Sequence, residues 1–341
     1  MAELREVFEM ATKQTEPERD SWRQQQEMQD RSKRKSRVGA TLIAAVLVGV
    51  ALVAVLATTL TNDRSAPSVA NQPTIVGPGE AGQSSLVLDL TTGETSDSRP
   101  LPQQLMGASL YAISPDGESV AYGTCCTPPN FISVVGLDGS NERRVTPDGI
   151  DAYGPNWSPD GRQLVYQGRD GTTTELGDLF VVDVLTGTVG RVTHLPRSYT
   201  STWSMHPSFT PDGERIIFHM PREDGAVSDL WSVDADGGEP TIVRRDASFG
   251  EYSPDGTSLA YVEPTADGGS ALRVVLPSDD VLTVARGEEF GRARWSPDGS
   301  RLAYSELDVL YVFDVATGDV ERVTGGGSGA WLHDGRLLVV G

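Results

Sequence analysis

The sequence predicts an all-β fold, a six-bladed β-propeller with terminal closure of one blade, preceded by a single transmembrane α-helix and a short helical cytoplasmic tail. Three observations carry that expectation. A phrase of one large apolar residue, Ser or Thr, then Pro-Asp-Gly, recurs at Asp116, Asp160, Asp212, Asp255 and Asp298, with a worn copy at Asp334. Each full copy is followed by a second hairpin, and one more such hairpin stands far upstream, beginning at Leu86. Val38 to Leu60 is a run of 23 residues without a charge.

The phrases read ISPDGESVAY, WSPDGRQLVY, FTPDGERIIF, YSPDGTSLAY, WSPDGSRLAY and WLHDGRLLVV, so each Asp-Gly lies between two apolar strands. The expected turn is a two-residue type I′ hairpin, which needs positive φ at both Asp and Gly, with Pro ending the strand before it. ISVVGLDGSNERRVT, LFVVDVLTGTVGRVT, LWSVDADGGEPTIVR, LRVVLPSDDVLTVAR and LYVFDVATGDVERVT supply the second hairpins. Each repeat thus contains four strands.

Successive motif aspartates are 44, 52, 43, 43 and 36 residues apart, near the roughly 40 to 45 residues of a four-stranded blade. LVLDLTTGETSDSRPL pairs with the strands of residues 331–340 to complete the last blade, so the ring closes by joining its ends. The propeller then covers residues 84–341, and radial closure leaves no long free sheet edge. These repeats resemble the TolB-type β-propeller family over about three quarters of the chain. That resemblance implies the fold, since propellers carry many unrelated activities.

Residues 1–37 form a tail and 38–60 a membrane span, long enough at about 1.5 Å per residue to cross a bilayer. Arg31, Lys33, Arg34, Lys35 and Arg37 stand before the span, whereas Asp63 and Arg64 cancel after it. Positive charge holds the N-terminus in the cytoplasm and places the propeller outside. The alternative, a cleaved signal peptide, calls for an apolar core of about 7 to 15 residues and a small-residue cleavage site. Residues 61–83 are rich in Pro, Gly, Ser and Asn and read as a flexible linker.

The net charge is −20, and residues 1–37 contribute +1, so the remainder is strongly acidic. Such a surface repels phosphate backbones, which argues against nucleic-acid binding and favours solubility or cationic partners. Lysine occurs only at positions 13, 33 and 35 against 25 arginines, a bias typical of a GC-rich bacterial genome. The two cysteines, Cys125 and Cys126, are adjacent. Outside the cell they have no other intramolecular partner. A vicinal disulfide stiffening Thr124 to Pro129 and two reduced thiols both remain open.

Catalytic signatures are thin. Propeller-bearing serine peptidases, which resemble these repeats, add a G-x-S-x-G elbow, and here the nearest stretch, GGSGAW from Gly326, has Ala330 where glycine is needed. His194, His206, His219 and His333 form no H-E-x-x-H, and neither DADGG at Asp234 nor TADGG at Asp267 has calcium-loop spacing. No metal or cofactor is expected. The repeated motif aspartates are explained by turn chemistry.

Topology locates the variable segments. The first and third turns are tight, so the longer segments 123–131, 167–178, 194–207, 219–229 and 262–270 gather on the opposite face, the candidate partner surface. Phe131, Arg169, Tyr199, Trp203, His206 and Arg222 are its candidate contacts, Tyr199, Trp203 and His206 coming from the insertion behind the 52-residue spacing. A hydrophobic plug is the alternative role for those loop aromatics. Near the ring axis the first strands offer Asn156, His206, Glu251 and Arg294, a mixed set without an evident acid, base or metal cage.

In the tail, Leu4, Val7, Phe8 and Ala11 make an apolar stripe at helical spacing. A lone helix this short is marginal in water, so the stripe needs something to pack against, and its acidic flanks favour a protein over an anionic membrane. Tail, span and outer domain together resemble the plan of bacterial membrane-bound anti-sigma or signalling proteins. The sequence therefore points to a non-enzymatic, membrane-anchored binding propeller, with a possible cytoplasmic regulator such as a sigma factor at the tail. A structural envelope scaffold and a hydrolase or lyase acting in the propeller channel are the alternatives.

Overall fold

The computed structural model describes residues 74–75, 85–90, 95–97, 111–123, 130–170, 177–195, 205–222, 227–307, 309–323 and 328–340. The tail helix of Leu4, Val7, Phe8 and Ala11, the 38–60 span, the two cysteines, Tyr199 and Trp203 lie outside them. Among the described residues no helix is long and apolar enough to cross a membrane.

The described chain is all strand and turn, arranged as a β-propeller. It opens with β1 (Thr74–Ile75), β2 (Ser85–Leu88) and β3 (Thr95–Asp97). Four consecutive up-and-down sheets follow. They are β4 (Tyr111–Ile113), β5 (Ser119–Gly123), β6 (Ile132–Gly136) and β7 (Arg143–Arg144), then β8 (Ile150–Trp157), β9 (Gln163–Asp170), β10 (Asp178–Asp183) and β11 (Val189–Arg191). Next come β12 (Ser208–Phe209), β13 (Arg215–Pro221), β14 (Ser228–Asp234) and β15 (Thr241–Arg244), and β16 (Ser248–Tyr252), β17 (Leu259–Pro264), β18 (Ser270–Val275) and β19 (Val281–Gly287). A fifth sheet holds β20 (Arg294–Trp295), β21 (Arg301–Glu306), β22 (Val309–Asp314) and β23 (Val320–Val323), with β1 added at its outer edge. The last has the order β24 (Ser328–Trp331), β25 (Leu337–Val340), β2, β3.

That last sheet joins the two ends of the domain. Ser85 pairs with Val340 and Leu88 with Leu337, antiparallel. The sequence reading put residues 61–83 wholly in a linker; instead Thr74 and Ile75 pair in parallel with Arg322 and Val323. A free outer edge offers a row of unpaired amides and carbonyls, and a β-branched dipeptide passing it takes them up.

Neighbouring sheets bury their faces against one another. Ala121, Ile132 and Val134 of one sheet pack with Trp157, Leu164 and Tyr166 of the next. Similar clusters join Val181 to Phe218, Leu230 to Tyr261, Leu272 to Tyr304, and Leu310 to Leu337. The middle strands are buried on both sides, which is why Leu164, Val165 and Tyr166 run consecutively apolar without alternation. Motif tryptophans fasten the inner strands laterally. The indole Nε1 of Trp157 donates to Ala112 O at 2.9 Å, that of Trp295 to Glu251 O at 3.1 Å, and that of Trp331 to Arg294 O at 2.9 Å.

The turn chemistry differs from the type I′ expectation. Only the glycines take positive φ, between 71° and 83° at Gly117, Gly161, Gly213, Gly256, Gly299 and Gly335, while the preceding aspartates do not. The amide of Gly117 donates to Ser114 O at 2.8 Å, and in the four later copies the glycine amide donates likewise to the carbonyl of Ser158, Thr210, Ser253 or Ser296. This is a type I turn with Pro second and Asp third, closed by a left-handed Gly, because Pro fixes φ near −65° where type I′ would need it positive. The Ser or Thr hydroxyl donates to the Asp carboxylate at 2.5–2.6 Å. That bond, with a main-chain amide two residues on, holds Asp116, Asp160, Asp212, Asp255 and Asp298 below their ordinary pKa.

Candidate functional site

A cavity of about 780 Å³ lies among the inner strands; five of the six sheets contribute to its wall, and the connection into the sixth adds His206. Ile113, Asn156, Glu251, Arg294 and Trp331 come from first strands, and His206 from the connection into β12. Asn156, His206, Glu251 and Arg294, the set the sequence reading aimed at the axis, all line it.

Irregular backbone builds this wall. The β8–β9 register slips between Tyr153 and Asn156, and the β16–β17 register between Ser248 and Glu251. Bulges of this kind re-aim side chains. His206, Phe249 and Leu307 have positive φ of 43°, 54° and 45°, and all three line the cavity. Bulky residues in that region carry strain that the surroundings must hold, a pattern that concentrates at functional sites.

The polar centre is an ion cluster. Glu251 Oε2 accepts from Arg292 Nε at 3.1 Å and Arg294 Nη1 at 3.0 Å, and its Oε1 accepts the Trp295 amide at 3.3 Å. The side chains of Arg292, Arg294 and Glu251 are 10%, 26% and 14% exposed. Arg292 Nη1 reaches Pro207 O at 3.5 Å, while its Nη2 is buried with no hydrogen-bond partner. Burial first, and then the neighbouring Arg294, lower the Arg292 pKa to about 9. Two guanidinium groups therefore share one carboxylate in a largely buried setting.

Beside the cluster an aromatic group packs. His206 and His219 stack with centroids 5.4 Å apart, and Phe249 lies 4.8 Å from His219 and 5.0 Å from His206. The Phe249 amide donates to His219 Nδ1 at 3.3 Å, which fixes the neutral tautomer there. Burial and then the Arg292 charge push the His219 pKa down to about 4; burial and then His219 push that of His206 well below its usual 6.5.

Of the other sequence-predicted contacts, Phe131, Arg169 and Arg222 do not line the cavity. Phe131 lies under the Arg144 guanidinium at 4.9 Å. Arg169 donates to Tyr153 Oη at 2.7 Å and pairs with Asp151 at 3.5 Å. Arg222 pairs with Asp229 at 2.7 Å and Asp246 at 2.8 Å. Sequence reasoning missed Arg292, Phe249 and Trp331. Arg292 was signalled by its place two residues before Arg294, a spacing that in an extended chain puts two side chains on one side. Among the described residues no group of three His, Cys, Asp or Glu side chains could hold a metal ion.

No protein-family model matches the chain. Its solved structural relatives include TolB from Acinetobacter baumannii, 17% identical, with a TM-score of 0.54 over 76% of this chain and 64% of that one. This likeness shows the fold, a TolB-like β-propeller. An uncharacterised protein of Agrobacterium fabrum is 28% identical over 159 residues, 45% of this chain and 47% of that protein. Dipeptidyl-peptidase 5 of Porphyromonas gingivalis is 27% identical over 157 residues, 42% of this chain and 22% of the peptidase. The chain thus spans less than half the length of these curated relatives.

Proposed function

We propose that this is a non-enzymatic, membrane-anchored binding propeller. Its six sheets are six blades of one closed ring outside the cytoplasmic membrane, and its axial cavity and long-loop face engage a ligand or protein. The observation that carries this reading is the axial cavity of about 780 Å³, within the range of ligand sites, whose central Glu251, Arg292 and Arg294 are engaged with one another and pack beside the His206–His219 stack. Glu251 is held by two arginines and a main-chain amide, and His219 by its stack and the Phe249 amide. Groups so engaged shape and charge a recess rather than stand ready for proton transfer. The charge-free 38–60 run and the basic residues before it support anchorage with the propeller outside. The apolar stripe of Leu4, Val7, Phe8 and Ala11 supports a cytoplasmic protein partner, such as a sigma factor, that senses the outer domain's state.

A second reading, elimination or hydrolysis in the channel, draws on the convergence of Asn156, His206, Glu251 and Arg294 on one cavity. The deciding experiment is a crosslinking pull-down from membranes with the intact chain and a variant lacking residues 3–20. A cytoplasmic protein retained by the first and lost from the second supports signalling. Partners recovered equally by both confine the function to the outer face, and an empty pull-down with turnover of a sugar or ester panel favours the channel enzyme.

A further inference from the structure

We propose that the axial cavity is a site for an organic carboxylate with an aromatic or apolar body, bound through Arg294 and the charge of Arg292. The inference rests on the binding reading above and names the ligand chemistry of that site.

Charge balance is the first argument. Arg292 and Arg294 share the single carboxylate of Glu251, and both contacts fall on the same oxygen, Oε2. The cluster therefore carries one net positive charge, and the stacked His206 and His219 beside it are neutral. Glu289, the other acid on the wall, is exposed, where water screens it. An uncompensated charge in a desolvated site is costly, and an incoming anion relieves that cost.

The second argument is an unmade bond. Arg292 is 10% exposed, and its Nη2, itself closed off from solvent, has no partner among the described residues, so its charge rather than a direct bond reaches the cavity. Buried guanidinium groups normally satisfy their donors, and exceptions mark strain, function or an absent ion. Arg294, more open at 26%, has the planar fork that matches a carboxylate.

The third argument is the rest of the wall. Phe249, Phe290, Leu310 and Trp331 line the same cavity, so an anion entering it meets apolar and aromatic surface around the arginines. Free phosphate satisfies the charge but wastes that surface. A carboxylate on an apolar body uses both.

The probe pair is 3-phenylpropionate and its neutral amide, 3-phenylpropionamide, with inorganic phosphate as the third ligand, titrated calorimetrically into the full-length chain in detergent. The acid is expected to bind at least about tenfold tighter than the amide, a difference of about 1.4 kcal/mol. Arg294→Met should remove that preference. Glu251→Gln, which retains an oxygen for the Trp295 amide while deleting the competing charge, should strengthen acid binding several-fold; a merely structural Glu251 would weaken it. Should either variant fail to fold by circular dichroism, Arg294→Lys, keeping the charge without the fork, should weaken the acid and spare the amide. Equal binding of acid and amide overturns the carboxylate assignment and leaves the cavity reading intact. Phosphate binding as tightly as the acid overturns the apolar-body half. Absence of binding by all three ligands, with the crosslinked partner still captured, overturns this inference alone.

Discussion

Replacing Trp157 by Phe tests whether the motif tryptophans fasten one blade to the next. The Trp157 ring is 8% exposed, and its Nε1 donates at 2.9 Å to Ala112 O on the inner strand of the preceding sheet. Phe keeps most of the ring but removes the donor. Ala112 O keeps its place in the β4–β5 ladder, so the lost indole bond costs about 1 kcal/mol, and the smaller ring forfeits about 1 kcal/mol more in packing. The expected loss is about 2 kcal/mol, or a fall in Tm of about 4–8 °C for a domain of this size. Thermal melts followed by circular dichroism measure the total. Hydrogen exchange locates it: amides of β4 and β8 should exchange faster while those of β18 stay unchanged. The position itself tolerates Phe, since Phe209 occupies it in the following sheet. A Tm shift under about 2 °C, or uniform loss of protection around the ring, would refute the lateral bond as a fastening.

Gly256→Ala should lower stability by about 1–2 kcal/mol, because an L side chain resists a φ of +72°. The nearest atom to a new Cβ is Pro211 Cγ at 3.9 Å, so a clash adds nothing, and a urea midpoint unchanged from the parent would contradict the turn assignment. Acid should destabilise the ring in two stages. Above pH 6.5 His206 and His219 are neutral folded or unfolded; below it the unfolded chain binds protons that the folded one refuses, until the His219 pKa of about 4 is reached. Below about pH 4 the depressed turn aspartates extend the loss, since they too must be protonated. His219→Phe should flatten the fall between pH 6.5 and 4, and an unaltered pH profile would count against it. Arg292→Met together with Glu251→Gln should cost less stability than Glu251→Gln alone, because the single change leaves two cations facing each other. Additive losses in that cycle would show that the cluster is not coupled.

The repeat carried most of the architecture. Asp-Gly turns at near-constant spacing disclosed the strand order, and LVLDLTTGETSDSRPL was recognisable as a displaced hairpin because it repeats the Asp-x-x-Thr-Gly pattern of Asp183 and Asp314. Those two carboxylates accept the amides of Thr186 and Thr317, the local bonds that make the pattern. The turn class was misjudged because Asp-Gly alone suggests positive φ twice, whereas the Pro before it commits the chain to the other hand. Thr74–Ile75 was hidden because two residues have no periodicity. At the site, Glu251 and Arg294 were legible from first-strand position. The His206–His219 stack was not, since β13 and the connection into β12 are brought together only by folding. Phe131, Arg169 and Arg222 looked available in the sequence because loop-end arginines and aromatics usually face water; the fold supplies each with Arg144, Asp151 or Asp229.

The pairing of Ser85–Leu88 with Leu337–Val340 sets a timetable for biosynthesis. The early strands β2 and β3 leave the ribosome about 250 residues before their partner β25 exists, which at about 5–20 residues per second is a wait of roughly 12 to 50 s. For that interval the nascent chain carries an orphaned hairpin while later sheets assemble one after another beside it. The ring is therefore completed by its oldest strands. Any factor that shields a short hairpin during synthesis would act there, well before the final sheet can zip shut.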